Sequence, residues 1–195
     1  MISPNKIKYY SFYLHLENLL KTRKVKFFQL RLKKEKISNI IYIAKKIKKI
    51  CKKHKVKFII NDNPFLAKKI GADGCHLGQK DMKNLKSKKI LRKKIVGITC
   101  HNSIKLAKKA QNFGADYLAL GAFFKTNTKK VKYKATLKDL SNIKKITNMP
   151  IVAIGGINNK NYKKLLLNNA NFLAISSYIW NNKKLTPENA MKKLI

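Results

Sequence analysis

Apolar residues recur along this chain in two alternating rhythms. Across residues 36–53 they fall at Ile37, Ile40, Ile41, Ala44, Ile47 and Cys51, three or four apart with lysines between, which predicts an amphipathic helix. A short run at 56–60, apolar except for Lys57, follows at once and predicts a strand covered on both faces. The alternation then repeats. Strands are predicted at 72–76, 95–99, 115–120, 150–154 and 172–175, and helices at 64–70, 103–112, 159–168 and 187–195. Two further strands, at 8–14 and 25–30, precede them.

Eight strands, each followed by something helical or connecting, is the number that closes a barrel. The fold class expected is therefore α/β, a (β/α)8 TIM barrel, with residues 1–195 forming a single domain. An open doubly wound sheet is the alternative, but its G-x-G-x-x-G phosphate fingerprint is missing after the first strand. No linker, repeat or low-complexity block divides the chain, and lysine-rich tracts such as 45–57 sit inside periodic segments.

Composition narrows the function classes. An apolar fraction of 45% excludes wholesale disorder, and no apolar run approaches the roughly 20 residues that span a bilayer. The first sixteen residues offer no small-residue cleavage site, so the expected location is cytoplasmic. Cys51, Cys75 and Cys100 form no C-x-x-C pair, which argues against a disulfide framework or structural zinc. Cys100 and His101 are adjacent, but neighbours on an extended segment point to opposite faces, so they are not a catalytic pair.

The formal charge of +38 is almost all lysine; Arg23, Arg31 and Arg92 are the arginines. Base readout and bidentate phosphate recognition favour arginine's planar fork, so the charge is assigned to solvated surface, with no specific nucleic acid and no membrane among the expected partners. Weak adhesion to polyanions at low salt follows from charge alone. Oligomeric state is not legible.

Only eight Asp and Glu stand against 46 Lys and Arg, so acidic residues at strand ends are informative. In a barrel the chemistry gathers at the carboxyl ends of strands. Gln29, Arg31 and Lys33 alternate there on one face of an extended segment, Asn61 and Asp62 end the next strand, and Asp81 lies in the loop after the one following. Adjacent strands run about 4.8 Å apart, so Asp62 and Asp81 can share one hard cation, with Mg2+ the expected ion and substrate oxygens completing its shell. Thr99 ends another strand, and Thr126, Thr128 and Lys129 fill the loop after the next. Gly155-Gly156 and Ser176-Ser177 end the last two strands, where bare backbone and hydroxyls suit a phosphate. Two phosphate-binding zones are expected, one assisted by metal and one without it.

These residues resemble one family. Gln29-x-Arg31-x-Lys33, Asn61-Asp62, the A-D-G-x-H-L-G-Q-x-D run of 72–81, Gly114-Ala-Asp-Tyr117, the F-x-T-x-T-K run of 124–129, Ala153-Ile-Gly-Gly-Ile157 and Ala174-Ile-Ser-Ser177 are similar to thiamine phosphate synthases, in order over 27–179. The resemblance implies a cytoplasmic transferase joining 4-amino-5-hydroxymethyl-2-methylpyrimidine diphosphate to hydroxyethylthiazole phosphate, or its carboxylated form, with release of diphosphate. It implies that Gln29, Arg31, Lys33, Asn61, Thr99 and Lys129 hold the pyrimidine diphosphate, that Asp62 and Asp81 hold Mg2+, and that Thr126, Thr128, Gly156, Ser176 and Ser177 hold the thiazole phosphate. His76, inside a strand pattern, reads either as a hydrogen-bonded interior imidazole or, as the resemblance implies, as a residue near the pyrimidine, whereas Asp73 and Asp116 read as turn residues entering strands.

The reaction needs no dedicated base. Arg31, Lys33 and Lys129, the expected catalytic residues, would neutralise the departing diphosphate, and losing one such group typically costs about 3 kcal/mol of barrier. Thr99 stands where the family usually has serine, and Ala122 replaces a usual proline. The related thiazole tautomerases, which the resemblance leads one to expect with a histidine at position 122 and without the Asp pair, are the alternative, together with a noncatalytic paralogue; a polyanion-binding lysine-rich protein is a more distant one.

Overall fold

The computed structural model describes residues 1–7, 10–83, 89–126 and 131–194. At its centre lies a sheet of seven strands, all parallel and hydrogen-bonded in chain order: β1 (Phe27–Leu30), β2 (Lys57–Asn61), β3 (Gly74–Leu77), β4 (Ile95–His101), β5 (Tyr117–Gly121), β6 (Ile151–Ile154) and β7 (Phe172–Ala174). The order never reverses, which removes the doubly wound alternative. The described helices are α1 (Ser11–Lys21), α2 (Ile37–Lys53), α3 (Pro64–Ile70), α4 (Ile104–Phe113), α5 (Leu137–Ile146), α6 (Tyr162–Leu167), α7 (Ser177–Trp180) and α8 (Pro187–Lys192). Among the described residues no helix is long and apolar enough to cross a membrane.

Local chemistry sets these boundaries. Asn63, Ser103, Thr136 and Thr186 each turn a side-chain oxygen onto a backbone N–H of the first turn of α3, α4, α5 and α8, and Pro64 and Pro187 occupy first-turn positions where no N–H is needed. Gly71 and Gly114 close α3 and α4 in the left-handed region, at φ 66° and 85°.

The strands divide their side chains with period two. Phe28, Leu30, Phe58, Ile60, Cys75, Leu77, Val96, Ile98, Leu118, Leu120 and Ile151 join the apolar core beneath the helices. The alternate positions, Gln29, Ile59, Asn61, His76, Thr99, Tyr117 and Ala119, face the other side. That second face carries the polar residues.

One expectation fails at the front of the chain, and one element in the middle has no counterpart among the expectations. The strand expected at 8–14 is not one: Lys8 and Tyr9 lie outside the described residues, and the chain from Ser11 is helix α1. The aromatic run of 9–13 mimics a strand, but Phe12, Leu16, Leu19 and Leu20 are buried at helical spacing, and that periodicity wins. Residues 1–3 take the place at the sheet instead. Ile2 bridges Gln29 in parallel, Ser3 N–H donates to Gln29 O (2.9 Å), Gln29 N–H donates to Met1 O (2.9 Å), and Ile2 N–H donates to Ile175 O (3.0 Å) just beyond β7. Helix α5 was not foreseen, although its Thr136–Asp139 capping box is a sequence signal.

Candidate active site

The carboxyl ends of β1 to β4 converge on a cluster of polar side chains. Gln29, 9% exposed, donates from Nε2 to Asn61 Oδ1 (3.0 Å) across the sheet. Arg31 donates from Nη1 to Asn5 Oδ1 (3.3 Å), and its own N–H donates to Ser3 Oγ (3.0 Å). Burial presses its guanidinium pKa down, opposed by the Asp62 carboxylate. Lys33 Nζ stands 2.7 Å from Asp62 Oδ2.

Asp62 and Asp81 meet. Asp62 leaves β2 in the left-handed region at φ 62°, its N–H bonded to His76 O (2.7 Å), and this strained turn carries its carboxylate toward Asp81. Asp81 begins a 3-10 turn after β3 and accepts from Gly78 N–H (2.9 Å). Burial pushes the Asp81 carboxyl up, Asp62 at hydrogen-bonding reach adds to that, and Gly78 N–H and Lys33 oppose it. Two carboxylates in contact, with an ammonium drawn onto one of them, is an arrangement that calls for a cation. No group of three or more His, Cys, Asp or Glu gathers among the described residues, so a divalent ion here would take the rest of its oxygens from substrate and water.

His76, 8% exposed, lies inside β3 with both ring nitrogens engaged: Nδ1 by Tyr117 Oη (3.0 Å) and Nε2 by Thr99 Oγ1 (2.8 Å). Burial pulls its pKa down to about 4, so the ring is neutral at neutral pH; the Asp62 carboxylate opposes this and Arg31 reinforces it. Gln79 Nε2 donates to Thr99 O and fixes that strand end.

The other cluster lies at the ends of β5 to β7. Thr126 is in the loop after β5; Thr128 and Lys129, expected beside it, lie outside the described residues. The loop is held at both ends. Phe123 and Phe124 N–H donate to Ile154 O (3.1 Å) and Gly155 O (3.0 Å), while Ala122 N–H donates to Tyr133 O (3.1 Å). The Tyr133 ring stacks on His101 with centroids 4.2 Å apart.

Gly156 has a reason beyond bare backbone. At φ 65° its Cβ would stand 2.3 Å from Lys125 O, so the glycine is what lets the Thr126 loop lie against the end of β6. Ser176 Oγ donates to Ser3 O (3.0 Å), and Ser177 opens α7.

Ser3, Asn5 and Tyr117 are the residues that sequence reasoning assigned no role. Ser3, 2% exposed, touches both clusters, through Arg31 N–H and through Ser176. Nothing in the sequence around it signals this, because the contacts arise only when residues 1–3 lie between β1 and Ile175. Tyr117 did leave a signal in Gly97, whose missing Cβ would lie 1.9 Å from the tyrosine Cζ. Asp73 and Asp116 accept from Phe58 N–H (2.8 Å) and Val96 N–H (2.7 Å), holding strand starts far from the cluster. Cys51, Cys75 and Cys100 are buried, and burial pushes each thiol up to about 12, so none is a nucleophile.

The family model for thiamine monophosphate synthase matches residues 1–179. The chain belongs to that family. Thiamine-phosphate synthase of Pelagibacter ubique is 67% identical over 194 residues, covering 100% of this chain and 94% of that one. Thiamine-phosphate synthase of Clostridium tetani is 44% identical over 152 residues, 77% of this chain and 72% of the relative. Among solved structures, thiamine phosphate pyrophosphorylase from Pyrococcus furiosus superimposes with a TM-score of 0.85 at 25% identity, over 99% of this chain and 91% of that one. Both polar clusters fall within the matched span of this thiamine monophosphate synthase family member, and so does the Ser3 bridge between them.

Proposed function

We propose that this chain is a cytoplasmic thiamine-phosphate synthase, a transferase that joins 4-amino-5-hydroxymethyl-2-methylpyrimidine diphosphate to hydroxyethylthiazole phosphate, or its carboxylated form, and releases diphosphate. The observation that carries it is the Asp62–Asp81 contact beside Arg31 and Lys33, in a chain 67% identical over its length to a thiamine-phosphate synthase. The scaffold proposed is a single (β/α)8 domain in which residues 1–3 act as the eighth strand. Their bonds to Gln29 on one side and Ile175 on the other support that closure.

Asp62 and Asp81 fit Mg2+, because each presents a hard oxygen and a divalent ion between them would offset their mutual repulsion. Bound there, the ion would supply positive charge to the leaving diphosphate. Arg31 offers a planar fork to diphosphate oxygens, and its guanidinium is already oriented by Asn5. Lys33, held on Asp62 when no ligand is bound, is a second cation within reach of the same anion. Gln29 and Asn61, locked to each other, present fixed amide groups to the aminopyrimidine. Lys129 is assigned to the diphosphate and Thr128 to the thiazole phosphate, by resemblance; Thr126, Gly156, Ser176 and Ser177 complete the second anion site. With both partners in place, the carbon–oxygen bond to diphosphate breaks first, the aminopyrimidine stabilises the cation left on the methylene carbon, and the thiazole nitrogen lone pair then captures it. No proton has to move, so catalysis is placement and charge stabilisation.

The test is diphosphate release from the two substrates with and without Mg2+, in the wild type and in Asp62→Asn. The expected result is Mg2+-dependent release that falls by about a hundredfold or more in the variant. Release unaffected by both Mg2+ and the substitution would overturn the assignment, and so would condensation failing altogether in the wild type.

A further inference from the structure

The Thr99 hydroxyl ends a chain of hydrogen bonds that crosses the polar face of the sheet. Tyr117 Oη lies 3.0 Å from His76 Nδ1, and His76 Nε2 lies 2.8 Å from Thr99 Oγ1. A neutral imidazole carries one N–H and one bare nitrogen, so this chain can run in either of two directions. In one, Tyr117 donates to Nδ1 and Nε2–H donates to Thr99, leaving the threonine proton to point onward. In the other, Thr99 donates to Nε2 and Nδ1–H donates to Tyr117, leaving the phenolic proton to find its own acceptor.

The surroundings of Tyr117 decide between them. Its ring lies against the bare backbone of Gly97, where a Cβ would stand 2.2 Å from Oη. His76 stacks beside it at 5.7 Å and Phe27 packs at 6.4 Å, centroid to centroid. Among the described residues His76 Nδ1 is the only hydrogen-bond partner of its hydroxyl. Running the chain toward Tyr117 would leave the O–H of this half-buried ring, packed between His76 and Gly97, without an acceptor among the described residues, which disfavours the arrangement. Running it toward Thr99 satisfies every donor except one. The exception is the Thr99 hydroxyl, half-buried two residues before the end of β4 and beside the ligand cluster.

We propose that Tyr117 locks His76 as its Nε2–H tautomer, and that His76 thereby sets Thr99 Oγ1 as a dedicated hydrogen-bond donor toward an anionic oxygen bound at the ends of β2 to β5. The identity of that anion as a diphosphate rests on the function proposed above. The chemistry of the direction matters, because an anion offers acceptors only: a threonine turned back to donate to His76 would meet it with lone pairs. Threonine's β-branch adds to the effect by narrowing the rotamers open to Oγ1 in a strand. His76 and Tyr117 are positioning residues in this scheme, and neither needs to touch the substrate.

The experiment has two readouts. In ligand-free, 15N-histidine-labelled protein, long-range 1H–15N correlations should give His76 the signature of a protonated Nε2 and a bare Nδ1, lost in Tyr117→Phe. In calorimetry with inorganic pyrophosphate and Mg2+, Thr99→Val should bind about tenfold more weakly than wild type and Thr99→Ser should restore binding. Tyr117→Phe should weaken binding in the wild-type background and add nothing in Thr99→Val. A protonated Nδ1, no measurable pyrophosphate binding to the wild type, or an equal loss from Tyr117→Phe in both backgrounds overturns the proposal. Condensation of the two substrates is read separately: its failure with the tautomer and coupling intact would sink the proposed reaction and leave the relay standing.

Discussion

Asp62 shows how much one residue carries at this site. It accepts a left-handed backbone conformation, a neighbouring carboxylate and an ion pair to Lys33, none of which its sequence neighbours require. Non-glycine residues in that conformation typically cost about 1 kcal/mol or more, and they concentrate where function demands them. The adjacency of Asn61-Asp62 to a strand end was legible in the sequence, and so was the pairing with Asp81 just beyond the next strand. The contact with Lys33 was not, because lysine is so abundant that its spacing carries no information. The three thiols make the opposite case. Cys51 and Cys100 have folded-state pKa values raised from 9.0 to about 12, so the native protein holds protons that the unfolded chain has lost. Their contribution is complete below pH 9 and declines as pH rises from 9 toward 12. Native protein at pH 8 should therefore resist Ellman's reagent, urea-unfolded protein should label at all three cysteines, and the urea midpoint should fall above pH 9. Rapid labelling of native protein would contradict the burial.

At the scale of elements, what could be read was whatever a segment does by itself. Helix α2 occupies Ile37–Lys53 because apolar positions recur at helical spacing, although its buried face is Ile43, Ala44, Ile47 and Cys51 and Ile37 stays exposed, and α3 begins at Pro64 because Asn63 and Pro64 are a start signal in themselves. The front of the chain departs from its local pattern for the converse reason. Aromatic residues at 9–13 satisfy a strand or a helix locally, and burial of Phe12, Leu16, Leu19 and Leu20 against other parts of the molecule chose the helix. The Thr126 loop depends on contacts between elements as well. Gly156→Ala would place a methyl 2.3 Å from Lys125 O at φ 65°, so we expect about 2 kcal/mol or more of destabilisation and a higher KM for the thiazole phosphate. Urea unfolding and steady-state kinetics measure the two effects, and an unchanged KM would mean that the loop does not depend on this packing.

Over the whole molecule, 46 basic residues against eight acidic ones leave a charge of +38 on a chain of 195 residues. Five ion pairs among the described residues, two of them to histidine, neutralise little of it. Like-charge repulsion must therefore oppose folding, and it is screened within a Debye length of about 10 Å at 0.1 M salt. The melting temperature should rise by several degrees between about 10 mM and 300 mM NaCl, and a flat or falling curve would show that the lysines are too well solvated to interact. The pyrophosphate affinity should fall over the same range, as expected of an anion bound by Arg31 and Lys33.

The sequence by itself determined the alternation of strand and helix, the period-two division of each strand, and the placing of Gln29, Asn61, Asp62 and Thr99 at or near the carboxyl ends of strands, with Asp81 in the loop beyond β3. Each of these is a local pattern, repeated at fixed spacing along the chain. Tertiary structure alone decided that residues 1–3 lie between β1 and Ile175, that Ser3 touches both Arg31 and Ser176, and that Tyr117 reaches across Gly97 to His76. Those contacts join residues up to 173 positions apart, and the free energy that selects them comes from burial and hydrogen-bond satisfaction, which no single segment can supply.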